Sequence, residues 1–134
     1  MIKKTVTYKG FDNVERTEDF YFHLSKAEIL KMEMSVQGGF TARLNRIIAS
    51  NDIPAIANEF EDLLRKSYGI KCDDGKRFDK NPKHYEEFSQ TEAYSIIWTE
   101  LFTDEEKAAE FVKGIIPEGL DIDESKINHP ALKK

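Results

Sequence analysis

Three aspartates and the only cysteine of the chain crowd the stretch YGIKCDDGKRFDKN, which runs from Tyr68 to Asn81. Closely spaced carboxylates can bind calcium, and a cysteine can act as a nucleophile or as a metal ligand. A calcium loop with Gly75 at its sixth position needs oxygen ligands at residues 70 and 72 and a bidentate acid at residue 81. Those positions hold isoleucine, cysteine and asparagine, so the sequence does not support a calcium site.

The cysteine does not predict a catalytic site either. A nucleophilic Cys72 needs a base beside it, and no spacing ties it to His23, His84 or His129. One cysteine cannot form an internal disulfide or a multi-cysteine metal site. We therefore interpret Cys72 as an inert, packed residue.

A tight turn is the remaining interpretation of the acidic stretch. The pair Asp74-Gly75 is typical of a two-residue hairpin turn, because both central positions of such a turn need positive φ. The sequence thus predicts a short middle β-hairpin with strands at residues 70–73 and 76–79.

Other catalytic arrangements are equally absent from the sequence. The stretch Gln37-Gly38-Gly39-Phe40 lacks the GxxxxGK[ST] frame of a phosphate loop, and no HExxH pair occurs. Carboxylate pairs such as Glu59 with Asp62 can be chosen anywhere, and no predicted apolar pocket would shift their pKa values. We therefore predict a protein that is not an enzyme and has no cofactor or metal.

Length and composition predict one compact domain. The chain has 134 residues, of which 40% are hydrophobic and 34% charged, and this length suits one core better than two. We place the domain at residues 1–117 and a loose C-terminal tail at residues 118–134, where periodicity is lost. The net charge of -5 and the lack of a basic aromatic cluster argue against nucleic acid. No apolar run approaches the roughly 18 residues of a membrane span, so we expect a soluble cytosolic protein.

The first part of the chain predicts an N-terminal β-hairpin. β-Branched and aromatic residues at 5–8 and 14–22 flank the turn-forming residues 9–13. Alternation in the second strand gives one largely apolar face and one largely polar face. The apolar face is predicted to carry Val14, Phe20, Phe22 and Leu24.

Four or five helices are expected to form the core, giving an α+β fold that is mostly α-helical. Helix starts are predicted from capping boxes at Ser25, Ser89 and Thr103, each three residues before a glutamate. Two further helices are predicted at residues 41–50 and 52–68, with Asp52 as cap and Gly69 as stop. Their apolar stripes are expected in the core and comprise Ile53, Ile56, Ala57, Phe60, Leu63 and Leu64; Tyr94, Ile97, Trp98 and Leu101; and Ala108, Phe111, Val112 and Ile115.

Two stretches carry a resemblance to a known family. YGIKCDDGKRFDK, followed by EEFSQTEAYSIIWTELFTDEEKAAEFVKGIIP, resembles the signature region of tail assembly chaperones from long-tailed phages and prophages. The phrase EDFYFHLSKAE after the predicted hairpin is similar to the start of the same family. The likeness covers most of the chain.

The resemblance implies a function without covalent chemistry. Family members bind the long helical tape measure protein before the tail tube polymerises, in the host cytoplasm. A longer form made by ribosomal frameshifting commonly accompanies them, and the resemblance implies self-association as a homo-oligomer. The alternative is a small regulatory or inhibitory protein of phage or prophage origin that binds a host factor.

Partner contacts are predicted at large apolar residues outside the helical stripes, because a chaperone needs apolar surface beyond its own core. The chain end or the hairpins could instead bury several of them, and scattered exposed apolar residues are common. The candidates are Ile96, Phe102, Ile116, Phe40 and Tyr21.

Overall fold

The structure, a computed structural model, describes residues 1–35 and 37–115, without the side chains of Thr41, Leu44, Asn45, Ile47 and Ile48. The predicted tail at residues 118–134 lies outside the described residues. The predicted α+β, mostly helical class is confirmed. The elements follow the order β1 (Ile2–Lys9), β2 (Glu15–Phe22), α1 (Lys26–Ser35), α2 (Phe40–Ala49), α3 (Ile53–Ser67), β3 (Tyr68–Lys71), β4 (Phe78–Asp79), α4 (Pro82–Ser89), α5 (Glu92–Thr103) and α6 (Glu105–Ile115).

The N-terminal hairpin forms as predicted. β1 and β2 pair antiparallel over their full lengths, and the amide of Gly10 donates to the carbonyl of Val14 at 3.0 Å to close the turn. Phe20, Phe22 and Leu24 are buried on the apolar face. The prediction for Val14 is wrong, since its side chain is 51% exposed. It lies in the turn, before the first paired residue of β2.

The middle strands extend this hairpin into one sheet, which the sequence does not reveal. β3 pairs antiparallel with β2 through Tyr21 with Gly69 and Phe22 with Tyr68, and β4 pairs with β3. The four strands lie in the order β1-β2-β3-β4. Local turn signals predict each hairpin, but the pairing of β2 with β3 joins residues 46 and 48 positions apart in the chain.

The turn between β3 and β4 differs from the prediction. The amide of Gly75 donates to the carbonyl of Cys72 at 3.0 Å, so Asp73 and Asp74 are the central residues. Gly75 alone has positive φ in this turn, at 71°. Asp74 accepts the amide of Lys76 at 2.8 Å through Oδ1, which stabilises a longer loop without positive φ at Asp74.

The capping box at Ser25 is confirmed, and it also connects two distant parts of the chain. The amide of Glu28 donates to Ser25 Oγ at 3.1 Å, and the amide of Ser25 donates to Glu28 Oε1 at 2.9 Å. Lys80 Nζ lies 2.8 Å from both Glu28 carboxylate oxygens. Burial opposes ionisation of Glu28, but the bonds from Lys80 and Ser25 outweigh it and lower the pKa of this carboxyl.

The capping boxes predicted at Ser89 and Thr103 are wrong. α5 is capped by Thr91, whose Oγ1 accepts the amide of Tyr94 at 3.2 Å. α6 is capped by Asp104, whose Oδ1 accepts two amides of the first turn at 3.1 and 3.2 Å. The hydroxyls of Ser89 and Thr103 instead donate to carbonyls of their own helices, at 2.7 and 2.6 Å. Each predicted residue therefore belongs to the end of the preceding helix.

α3 begins as predicted and ends for a different reason. Asp52 Oδ1 accepts the amide of Ala55 at 3.2 Å and caps the helix. Gly69 does not stop the helix, because Tyr68 already has the extended φ of -71° and ψ of 140°, and the chain enters β3 directly. Gly69 is instead needed for close packing: a Cβ there would lie 2.7 Å from Phe78 Cε2 and 2.9 Å from the Asp79 carbonyl oxygen.

The core forms where the sheet meets the helices. Phe22 is fully buried, and its ring lies 5.3 to 6.1 Å from the rings of Tyr68, Phe88 and Phe111. The predicted α6 stripe is entirely buried. The α3 stripe is confirmed except at Ile53, which is 57% exposed in the first turn, and at Ala57, which is half-buried.

The α5 stripe is confirmed in part. Ile97 and Leu101 are buried, whereas Tyr94 and Trp98 are only half-buried at the rim of the core. The helical period identifies the side of α5 that faces the core, but it does not say how far each large ring extends beyond the core.

Candidate partner-binding surface

Two of the predicted contact residues lie on α5. The side chain of Ile96 is 42% exposed. Phe102 is half-buried and stacks on Trp98, with ring centroids 4.9 Å apart and an interplanar angle of 25°. Phe102 lies six positions after Ile96, which places the two residues on different sides of the helix. They are therefore two separate candidate contacts on one element.

Tyr21 and Phe40 lie on other elements. Tyr21 is half-buried on the polar face of β2, where Lys71 Nζ lies 4.2 Å from its ring centroid. Phe40 is the first residue of α2 and packs against the core, with Lys66 Nζ 5.8 Å from its ring. Ile116 lies outside the described residues. The predicted contacts are thus spread over three elements.

Two exposed apolar patches were missed by the sequence prediction. The hairpin tip consists of Phe11, 80% exposed, and Val14. The α1 patch consists of Leu30, 47% exposed, and Met34, 78% exposed, one helical turn apart. The four-residue spacing of Leu30 and Met34 was a usable signal, but the sequence KMEMSV at residues 31–36 alternates polar and apolar residues and hid the helical period. Phe11, a large aromatic residue inside the turn predicted at residues 9–13, was also a signal of exposed apolar surface.

The hairpin tip is held by polar contacts. Asp12 accepts two hydrogen bonds from the guanidinium of Arg16, at 2.7 and 3.0 Å, and one from the amide of Val14 at 3.1 Å. The Arg16 bond, with the backbone bond second, holds the pKa of Asp12 well below its usual range. Asn13 adopts a φ of 64°, which asparagine tolerates better than most residues. The tip therefore presents Phe11 from an ordered turn.

A cleft lies between α3, α4 and α5. Its volume is about 550 Å³, and its lining includes Arg65, Lys80, Tyr85 and Tyr94. The two tyrosine hydroxyls hydrogen-bond at 2.7 Å, and burial raises the pKa of Tyr94 far above its usual range. Arg65 lies over the Tyr85 ring, and Lys80 is bound to Glu28. Arg65, Tyr85 and Tyr94 thus contact one another within the cleft, whereas Lys80 is held by a residue outside it.

Two further features bear on the kind of site. Within residues 1–35 and 37–115, no group of three or more His, Cys, Asp or Glu side chains could hold a metal ion. None of the helices in the described part of the chain has the length and apolar character needed to cross a membrane.

Comparison with known proteins gives the family. A family model described as phage tail assembly chaperone matches residues 1–132, nearly the whole chain. No curated protein and no solved structure matches the chain. The chain therefore belongs to the phage tail assembly chaperone family, and the resemblance found in the sequence is confirmed.

Proposed function

We propose that this chaperone binds the tape measure protein of its phage before the tail tube polymerises. It acts in the host cytoplasm, in several copies and without covalent chemistry, and a longer frameshifted form takes part. The observation that carries the proposal is the family match over residues 1–132. The exposed apolar residues support it, because they give the chain surface for a protein partner.

The physical reason is protection of apolar surface. A long helical protein made before its tube exists would expose repeated apolar stripes, and covering them is favourable by roughly 25 cal/mol per Å² before association costs are subtracted. Small patches such as the α1 patch suit many weak, repeated contacts better than one large interface. The proposed contacts are Ile96, Phe102, Ile116, Phe40 and Tyr21, together with Leu30 and Met34.

Co-expression with the tape measure protein from the same phage genome tests the proposal. We expect a soluble complex on size exclusion that survives about 0.5 M salt, because apolar contacts are not screened as exposed charge pairs are. Ile96→Asp should weaken binding by roughly tenfold or more, since a charge would enter an apolar contact.

Ser95→Asp is the matched control, because it adds the same charge at an exposed neighbouring position of α5. A tape measure protein that stays insoluble, with no complex formed, would show that the proposed function is wrong. If both folded variants lost binding to the same extent, or if neither lost it, Ile96 would not be a specific contact.

A further inference from the structure

The outer edge of β1 has backbone hydrogen-bonding groups that point away from the hairpin. In the β1–β2 ladder the amide of Gly10 donates to Val14, so the even-numbered residues of β1 bond to β2 and the odd-numbered ones point outward. Among the described residues no strand pairs with that outer edge. An edge of this kind can accept a further extended segment.

The two faces of β1 differ in character. The even-numbered residues face the helices: Val6 is buried, Ile2 and Tyr8 are half-buried against the core. On the same face Lys4 Nζ lies 3.0 Å from Glu100 Oε1 of α5. The odd-numbered side chains are exposed on the opposite face, and they are Lys3, Thr5, Thr7 and Lys9. A strand that fits this edge therefore needs apolar side chains on one face and side chains that suit lysine on the other.

The last described helix ends beside the first residue of β1. A Cβ built on Gly114 would lie 2.9 Å from Cβ of Ile2, and the carbonyl of Ile115 accepts the amide of Leu24 at 2.9 Å. The chain continues through residues that lie outside the described part. Residues 116–119 can span about 13 Å when extended, and neighbouring strands lie about 4.8 Å apart. The residues that follow can therefore reach the outer edge of β1.

The sequence EGLDIDE at residues 118–124 has the pattern that this edge requires. Leu120 and Ile122 alternate with Asp121 and Asp123, which is the period of a strand with one apolar face and not that of a helix. The segment contains four acids and no base, whereas β1 contains three lysines and no acid. Facing opposite charges stabilise neighbouring strands.

We infer that residues 120–124 pair with the outer edge of β1 as a further, parallel strand of the same chain. The direction follows from the start of the segment beside Ile2, since it then runs along β1 towards Lys9. An antiparallel strand would have to begin beside Lys9, about 23 Å away, and residues 116–122 would be used to reach that point.

The register follows from the charges and from the two faces. Asp121 lies beside Lys3 on the exposed face, which puts Ile122 on the face towards the helices. In a parallel ladder the amide of Ile122 then donates to the carbonyl of Lys3, and the amide of Thr5 donates to the carbonyl of Ile122. Both backbone groups of Ile122 are thus bonded to β1.

Another stretch of sheet edge fits this segment less well. Over the described residues the ladder of β2 with β3 goes no further than Tyr21 with Gly69, so residues 15–19 of β2 extend beyond it. That stretch contains three acids and one base. An acidic strand placed there would face mainly like charges, which destabilise neighbouring strands.

The pairing controls access to the edge of β1. While residues 120–124 occupy it, no other extended segment can add to the same backbone groups, and their release opens the edge. The predicted loose tail is thereby shortened to residues 125–134. This contact lies within one chain and is separate from tape measure binding.

Hydrogen exchange on the full chain tests the pairing. We expect the amide of Thr5 to be protected roughly tenfold or more over that of Lys9, which lies on the same edge beyond the segment, at every protein concentration. Ile122→Pro should lower the protection of Thr5 by roughly tenfold or more, because proline removes the amide that bonds to Lys3.

Asp123→Pro is the matched control, since the amide of Asp123 points away from β1 and proline is tolerated at such a position. It should lower the protection of Thr5 by no more than about threefold. Both substitutions lie outside the folded core described above, so the hairpin itself should be unchanged.

Exchange of charges tests the register. Asp121→Lys should lower the protection of Thr5 by about two- to fivefold, because it places a lysine beside Lys3. Adding Lys3→Asp to that variant should restore the protection, since the pair is then opposite in charge again. No recovery in the double variant would overturn the register.

Several results would overturn the pairing itself. Equal protection of Thr5 and Lys9 in the parent chain is one, and equal effects of Ile122→Pro and Asp123→Pro are another. Protection of Thr5 that rises with protein concentration is a third, because it indicates that a second molecule occupies the edge. All measurements use the chain alone, so their failure leaves the test of tape measure binding unaffected.

Discussion

Gly69 and Gly75 lie close together in the sequence and are required for different reasons. Gly75 has a φ of 71° with no atom within 4 Å of a Cβ built there, so only its backbone conformation disfavours other residues. Gly69 has an ordinary φ, but a Cβ would collide with Phe78 and with the carbonyl oxygen of Asp79. Gly75 is needed for the backbone conformation of a turn, and Gly69 is needed for the close contact of β3 with β4.

Substitutions should separate these two causes. Gly75→Ala is expected to lower the free energy of unfolding by about 1 kcal/mol, because a side chain is forced into the left-handed region. Gly75→Asn should cost less, since asparagine tolerates positive φ. Urea denaturation followed by Trp98 fluorescence measures both changes.

Gly69→Ala and Gly69→Asn provide the comparison. Both substitutions should lower the free energy of unfolding. Gly69→Asn should be no more stable than Gly69→Ala, because the obstacle at Gly69 is lack of space and not the value of φ. A Gly69→Asn variant more stable than Gly69→Ala would contradict the structure. So would a Gly75→Asn variant no more stable than Gly75→Ala.

At the scale of the elements, the helix starts depend on which oxygen reaches the free amides. A Ser or Thr three residues before a glutamate fits the capping-box pattern at Ser89 and Thr103, but Thr91 and Asp104 make the bonds. The pattern cannot distinguish the last hydroxyl of one helix from the cap of the next when helices follow each other closely.

The cap of α6 gives a direct test. Asp104→Ala should destabilise the protein by about 1 kcal/mol, because two first-turn amides lose their acceptor. Thr103→Ala should change stability by no more than about 0.5 kcal/mol, since its hydroxyl is exposed at the end of α5. Thermal or urea unfolding of the two variants decides between the caps, and the reverse order of effects would restore the capping box at Thr103.

At the scale of the whole molecule, one aromatic ring connects the sheet to the helices. Phe22 of β2 contacts Tyr68 where β3 begins, Phe88 of α4 and Phe111 of α6. Phe22→Ala is expected to cost about 3–5 kcal/mol, a large part of the stability of a domain this size, because it leaves a cavity where four elements meet. Equilibrium denaturation gives the value.

Phe11→Ala is the matched control for that change. It removes the same side chain from the exposed hairpin tip and should alter stability by no more than about 0.5 kcal/mol. Similar losses for Phe22→Ala and Phe11→Ala would show that the ring of Phe22 is not at the centre of the core.

The candidate contact surface was predictable only in part. Ile96 lies off the helical stripe and is exposed, as its position in the sequence suggests. Phe102 and Phe40 are also off the stripes, yet Phe102 stacks on Trp98 and Phe40 packs against the core. The helical period predicts which face of a helix lies against the core. Contacts between elements decide how much of each side chain outside that face remains exposed.

The sequence by itself predicted the two hairpins, most of the helices and the mostly helical class, because capping residues, turn residues and apolar periods act over a few neighbouring positions, although it gave no sign of the helix α4. The family was recognised from the resemblance of whole stretches of the chain to known members. Tertiary structure alone decided the pairing of β2 with β3, the half-burial of Trp98 and the need for glycine at position 69. These features depend on backbone hydrogen bonds and packing between segments far apart in the chain, for which short sequence patterns carry no signal.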